Sequence, residues 1–328
     1  MTESPTDQAR SRSIGVTQAL GAYLWWGLVT GIYFKSLDQV SPLELLAWRV
    51  LAGLPVVLVL LLLPPGPGRF VRAIRKPSDL GILVVSTSLI TVNWLTFIYA
   101  VVADRLVEAS LGYYINPIVT VLLGRFVLGE RLQGGQLVAV WLAFLGVAVF
   151  GATAMLGGMM STSGESTGLL GLLHRLPWIA CVLPLSFGAY GLLRKRMAAD
   201  SITGLSIEMT MLFPFMLATE LVLMHQGQAA FRQQGVQVDA LLLVGGIVTA
   251  APLLLFAAAA RRLRLTTLGL LQYVAPTCQF LLALLVFKED IDVGKMIGCI
   301  IIWIAVGLYS WDSIRRREHI STPAGRST

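Results

Sequence analysis

The chain has 328 residues, of which 56% are hydrophobic and 13% charged, about half the charged fraction of a soluble protein. The apolar residues fall into separate runs of about 20, each long enough to cross a hydrocarbon layer about 30 Å thick, which excludes a soluble domain and points to an all-α polytopic membrane protein. The net charge of +7 bears on orientation in a lipid bilayer and not on nucleic acid, because most basic residues stand beside the apolar runs.

Residues 1–13 form a polar tail, and the run from Ile14 is a retained helix with no small-residue cleavage signature after it. Ten spans are expected near 15–34, 42–63, 80–102, 107–128, 136–156, 177–194, 204–224, 240–260, 266–287 and 294–313. Barrel strands need only about 9–11 residues, so length favours helices. Lys and Arg alternate from loop to loop: seventeen at one set of span ends, among them Arg72, Lys76, Arg131, Lys195 and Arg316, against six at the other. That asymmetry predicts that both termini are cytoplasmic. Cys181, Cys278 and Cys299 lie within apolar runs and read as small buried hydrophobes.

The Gly-, Ser- and Thr-rich stretch 157–175 is an external linker between two five-span units, 14–156 and 176–313, with residues 314–328 as a second cytoplasmic tail. At an offset of 159 positions Leu106 meets Leu265, Tyr114 meets Tyr273, Pro117 meets Pro276 and Glu130 meets Glu289. An odd-numbered unit repeated in tandem enters the membrane from opposite sides, so the halves are predicted to be an inverted repeat, an architecture of secondary transporters.

Three blocks carry a family resemblance: GAYLWWGLVTGIYFKSLDQVSPLELLAWRV (21–50), NWLTFIYAVVADRLVEASLGYYINPIVTVLLGRFVLGERL (93–132) and PLLLFAAAARRLRLTTLGLLQYVAPTCQFLLALLVFKE (252–289). The chain resembles the RarD group of the EamA branch of the drug/metabolite transporter superfamily. The resemblance implies a bacterial cytoplasmic-membrane protein with ten helices in two inverted halves around a central cavity. The group's name attaches to chloramphenicol sensitivity, and the wider superfamily exports amino acids, metabolites and drugs. Arg264 stands where the group's pattern has Pro.

Ionisable groups inside spans are costly and therefore candidate functional groups. Glu44 lies near the outer end of span 2, with Arg49 on the order of 8 Å deeper at about 1.5 Å per residue. Arg49 is a candidate anchor for an anionic substrate group, and Glu44, Glu108 and Glu208 are candidate proton-coupling groups; the alternative for each is a structural hydrogen-bond network. Glu108, Gly112 and Asn116 share one face of span 4. Pro117 and Pro276 are expected to break spans 4 and 9 at matching positions and so to mark a central site. Tyr113, Asn116, Gln272 and Tyr273 surround those positions, and Asn93 and Trp94 fall mid-span in span 3, offering a hydrogen bond and a flat ring. Trp25 and Trp26 are assigned to packing. Gly146 and Gly151 in span 5, and Gly298 and Gly307 in span 10, make those spans packing helices.

Three function classes are open to a chain of this kind. A secondary transporter, moving a small-molecule substrate and drawing on the proton gradient, fits the repeat. An intramembrane enzyme would need a nucleophile and base, and neither HExxH nor GxSxG is present. A receptor or scaffold does not require an inverted repeat. No P-loop is present, no cofactor is expected, and His174, His225 and His319 have no metal-ligand spacing. A homodimer is the expected candidate assembly.

Overall fold

The computed structural model describes residues 5–64, 66–75, 77–128, 134–160, 177–196, 201–260, 262–263 and 271–321. Glu130, Arg264 and most of the 157–175 linker lie outside them. The described residues are helical and contain no strand. That is the expected result for apolar segments that must satisfy backbone polar groups internally in lipid.

The elements are α1 (Pro5–Leu24), a π-helical turn (Trp25–Val29), α2 (Thr30–Lys35), α3 (Pro42–Leu51), α4 (Gly53–Leu61), α5 (Gly68–Ile74), α6 (Pro77–Val102), α7 (Leu106–Leu128) and α8 (Gly134–Met160). The second half comprises α9 (Trp178–Arg196), α10 (Ser201–His225), α11 (Val236–Ala260), α12 (Val274–Leu285) and α13 (Val293–Ser321). Each expected span overlaps helix in its described residues, with interruptions at Ala52 and at Gln272 and Tyr273. Among those residues, Pro42–Leu61, Gly81–Val102, Ile202–His225 and Val236–Phe256 are long and apolar enough to cross a membrane. Phe144, Phe215 and Leu285 point outward, 58%, 68% and 71% exposed, as side chains facing lipid do.

The halves pack with a reciprocal pattern. α1 lies on α11 as α9 lies on α6, while α3 and α4 lie on α10, α7 on α12 and α8 on α13. Gly146 and Gly298 let α8 and α13 touch: a Cβ on Gly146 would lie 3.0 Å from the Gly298 carbonyl, and one on Gly298 would lie 2.9 Å from the Gly146 carbonyl. A Cβ on Gly246 of α11 would lie 2.2 Å from the Ala52 carbonyl, so this crossing admits only glycine.

Proline effects differ from place to place. α7 runs without interruption through position 117, so the expected break at Pro117 is absent. Pro276 instead sits in the first turn of α12, which starts after Tyr273. There the missing N–H is one of the helix's unpaired first four, so no ladder bond is lost. The break in span 2 falls at Ala52, between α3 and α4. Pro55 explains it: the ring has no N–H for the Leu51 carbonyl and crowds it. Pro252 likewise leaves the Val248 carbonyl of α11 without its ladder donor, and the Trp25 indole N–H takes that carbonyl at 3.1 Å. Trp25 opens the π turn, whose own carbonyl accepts from the Thr30 hydroxyl at 3.1 Å. α5, carrying Arg69 and Arg72, occupies a stretch expected to be loop.

Candidate functional site

A cavity of about 380 Å³ lies between the halves. α3, α6 and α7 bring Arg49, Asn93, Trp94, Tyr113 and Asn116 to its wall, and the segment opening into α12 brings Gln272 and Pro276. Six of the seven expected substrate-binding residues therefore converge there. Tyr273 does not line it; its ring stacks on Tyr114 instead. The Pro117 side chain lies outside the described part of the structure.

Arg49 dominates the electrostatics. Its guanidinium carbon lies 4.3 Å from the centre of the Trp94 ring and 5.8 Å from that of Phe34, cation–π distances. Its Nε–H has no hydrogen-bond partner. The ionisable groups facing it are the phenols of Tyr33 and Tyr113, and among the described residues no acidic side chain lines the cavity. A guanidinium presents five N–H donors in a planar fork that matches carboxylate or phosphate. Here the fork has an aromatic shelf beneath it and, among the described residues, no counter-ion.

The rest of the wall is amide and ring. Asn93 donates through Nδ2 to the Leu183 carbonyl at 3.0 Å and to the Ser186 hydroxyl at 3.1 Å, which ties α6 to α9. Gln279, on α12, donates to the Trp26 carbonyl at 3.3 Å, and its Oε1 has no partner. Trp26 lines the cavity with Tyr23, Phe187 and Phe256, so its assignment to packing alone was too narrow. A mid-span Thr30 four residues after Trp26 was the signal for that face of the first span.

The three expected proton-coupling carboxylates lie outside the wall, each already supplied with donors. Glu44, in the first turn of α3 behind the N-cap Ser41, accepts from Ala230 N–H at 2.8 and 2.9 Å and from Phe231 N–H at 3.0 Å. Glu108 accepts from Ile179 N–H at 2.8 Å and Ala180 N–H at 3.3 Å, and from Arg105 Nε at 2.9 Å. It thereby caps α9, a helix of the other half, and Gly112 one turn on packs against Ala180 and Leu183 of the same helix. Glu208 accepts from the Ser86 hydroxyl at 2.9 Å and the Tyr190 hydroxyl at 3.1 Å. A fourth carboxylate, Glu289, caps α7 through Leu106 N–H at 2.8 Å and Val107 N–H at 3.0 Å. Burial pushes its carboxyl above the ordinary range, while those two donors pull it down. Glu44, Glu108 and Glu289 all reach from one half to backbone N–H groups of the other.

Comparison with known proteins also returns two repeats. A family model described as the EamA-like transporter family matches twice, over residues 13–152 and 176–311. The chain belongs to that family. It is 38% identical to protein RarD of Streptomyces exfoliatus over 96% of this chain and 94% of that one, so this EamA protein falls in the RarD group. It is 37% identical to an uncharacterized transporter of Vibrio cholerae over 92% of this chain and 93% of that one. A crystal structure described only as that of a protein matches with a TM-score of 0.55 at 18% identity, over 92% of this chain and 98% of the other; that likeness concerns fold alone. This EamA protein is a multi-pass membrane transporter.

Proposed function

We propose that this transporter carries a small organic anion with a flat or apolar body through the cavity by alternating access. It exports that solute across a bacterial cytoplasmic membrane at the expense of the proton gradient. Ten crossings in two inverted halves, with both termini cytoplasmic, complete the proposal; the loop-by-loop bias of Lys and Arg supports them.

The observation that carries the reading is the Arg49 guanidinium on its Trp94 shelf, the lone formal charge of the cavity wall among the described residues. A cation would meet repulsion there, and a neutral solute would leave the fork without an acceptor. An anion satisfies the fork while its apolar body fills the aromatic wall formed by Trp26, Phe97 and Phe256. Three carboxylate-to-backbone clasps join the halves at the starts of α7 and α9 and at the turn before α11. In the proposed orientation all three are external, so alternating access requires them to open.

The test is transport by purified protein in liposomes, with benzoate, benzamide and benzylamine as probes of equal shape and different charge. Benzoate should move against the proton gradient, and Arg49→Gln should cut that movement by more than tenfold. Arg49→Lys should fall between, because it keeps the charge and loses the fork. Equal movement of benzamide, or full benzoate transport by Arg49→Gln, would sink the anion reading.

A further inference from the structure

Four glutamates are buried within the described helices: Glu44, Glu108, Glu208 and Glu220. The first three have donors, as described above. Glu220, near the end of α10, is 3% exposed, and neither carboxyl oxygen has a hydrogen-bond partner. The Trp48 indole N–H is the donor that faces it, without closing a hydrogen bond of good geometry.

The neighbour that matters is Glu44. α3 packs on α10, Trp48 lies one turn after Glu44 on α3, and the Glu44 charge reaches Glu220. Glu44 has both of its oxygens met by the Ala230 and Phe231 N–H donors. Among the described residues neither carboxylate is in an ion pair. α4 carries no acidic or basic side chain, nor does α6 from 80 to 102. Arg69 and Arg72 of α5 belong to the opposite end of α10, where Phe70 and Ala73 pack by Ile207, about 20 Å away at 1.5 Å per residue. The Arg232 guanidinium lies over the Phe231 ring, 5.9 Å from its centre, and Asp239 of α11 accepts from the Arg232 backbone N–H. Arg49 faces phenols.

An ionised carboxylate buried without donors and beside a like charge is among the least favourable arrangements in a protein interior. A neutral carboxyl in that place removes both penalties. We propose that Glu220 is a proton-binding site, a carboxyl protonated when α3 and α10 are in contact and set beside Glu44. Separation of the two helices admits water, which solvates the carboxylate and lets Glu220 release its proton. The site stands outside the substrate cavity, whose lining does not include Glu44, Trp48 or Glu220. This rests on the proton-driven reading above, to which it gives a residue.

Infrared spectroscopy tests the site without any substrate. Protein in liposomes should show a protonated-carboxyl C=O stretch at neutral pH that disappears on raising pH and shifts on exchange into heavy water. Glu220→Gln should abolish that band, Glu108→Gln and Glu208→Gln should retain it, and Glu220→Asp should retain it at a displaced frequency. A band that persists in Glu220→Gln, or that is absent from the wild type, overturns the assignment. If Glu220→Gln does not insert, the Glu220→Asp displacement decides alone: an unmoved band overturns it. Loss of the transport reading would leave this band in place, so the two failures are distinguishable.

Discussion

Tyr114 and Tyr273, counterparts at an offset of 159 positions (273 − 114), stack on one another with ring centroids 6.3 Å apart and planes 19° from parallel. The Thr277 hydroxyl donates to the Tyr273 carbonyl at 2.7 Å, so the Tyr114 hydroxyl is the donor in its 2.6 Å bond to Thr277. Equivalent residues of the two halves thus meet face to face where α7 crosses α12. Such a stack contributes about 0.5–1.5 kcal/mol beyond area burial. Alanine at each position and at both, followed by unfolding in detergent, should give a coupling energy in that range. Additive losses would mean the rings are neighbours without being partners.

The clasp at Glu108 makes a graded prediction. Alanine leaves the Ile179 and Ala180 N–H groups and Arg105 without their acceptor, at a cost of about 2 kcal/mol or more. Glutamine keeps one acceptor oxygen and should lose less. Denaturant unfolding of both variants checks the order; equally small losses would show that water serves these donors.

Trp25 and Pro252 should be coupled. Trp25→Phe deletes the bond to the Val248 carbonyl and should cost about 1 kcal/mol. Pro252→Ala restores a helical N–H to that carbonyl, and in its background Trp25→Phe should cost almost nothing. The comparison requires thermal unfolding of four proteins, and an undiminished Trp25→Phe loss would contradict it.

Orientation is open to reporter fusions. Those at Lys76, Arg131 and Arg196 should report cytoplasm, and those at Asp38, Ser166 and Gln233 the outside. One reversal within the first half would undo the inverted relation between the units.

What could be read in advance was local. Apolar length marked the helices, and the offset Tyr and Pro pairs marked the repeat. Arg49, Asn93, Trp94, Tyr113, Asn116 and Gln272 were each conspicuous as polar or aromatic groups within spans, and the fold brings them to one wall. What could not be read was long-range. The Glu44 oxygens meet a backbone 186 positions away, and backbone donors leave no trace in side-chain identity. Glu220 looks like an ordinary acid near a span end; its isolation exists only once α3 covers it. Pro117 and Pro252 have the same chemistry, yet one sits in an unbroken helix and the other recruits a tryptophan.

The counter-ion that Arg49 lacks has an electrical consequence. Under alternating access, the empty carrier returns with one uncompensated positive charge, while the carrier holding a monovalent anion moves as a neutral body. Membrane potential acts on the first step and not on the second, with about 2.3 kcal/mol per charge for each 100 mV traversed. Voltage steps on substrate-free protein should therefore evoke a transient displacement current, which saturating benzoate suppresses and Arg49→Gln abolishes. The resting potential of the cell would then set how quickly an unloaded carrier resets.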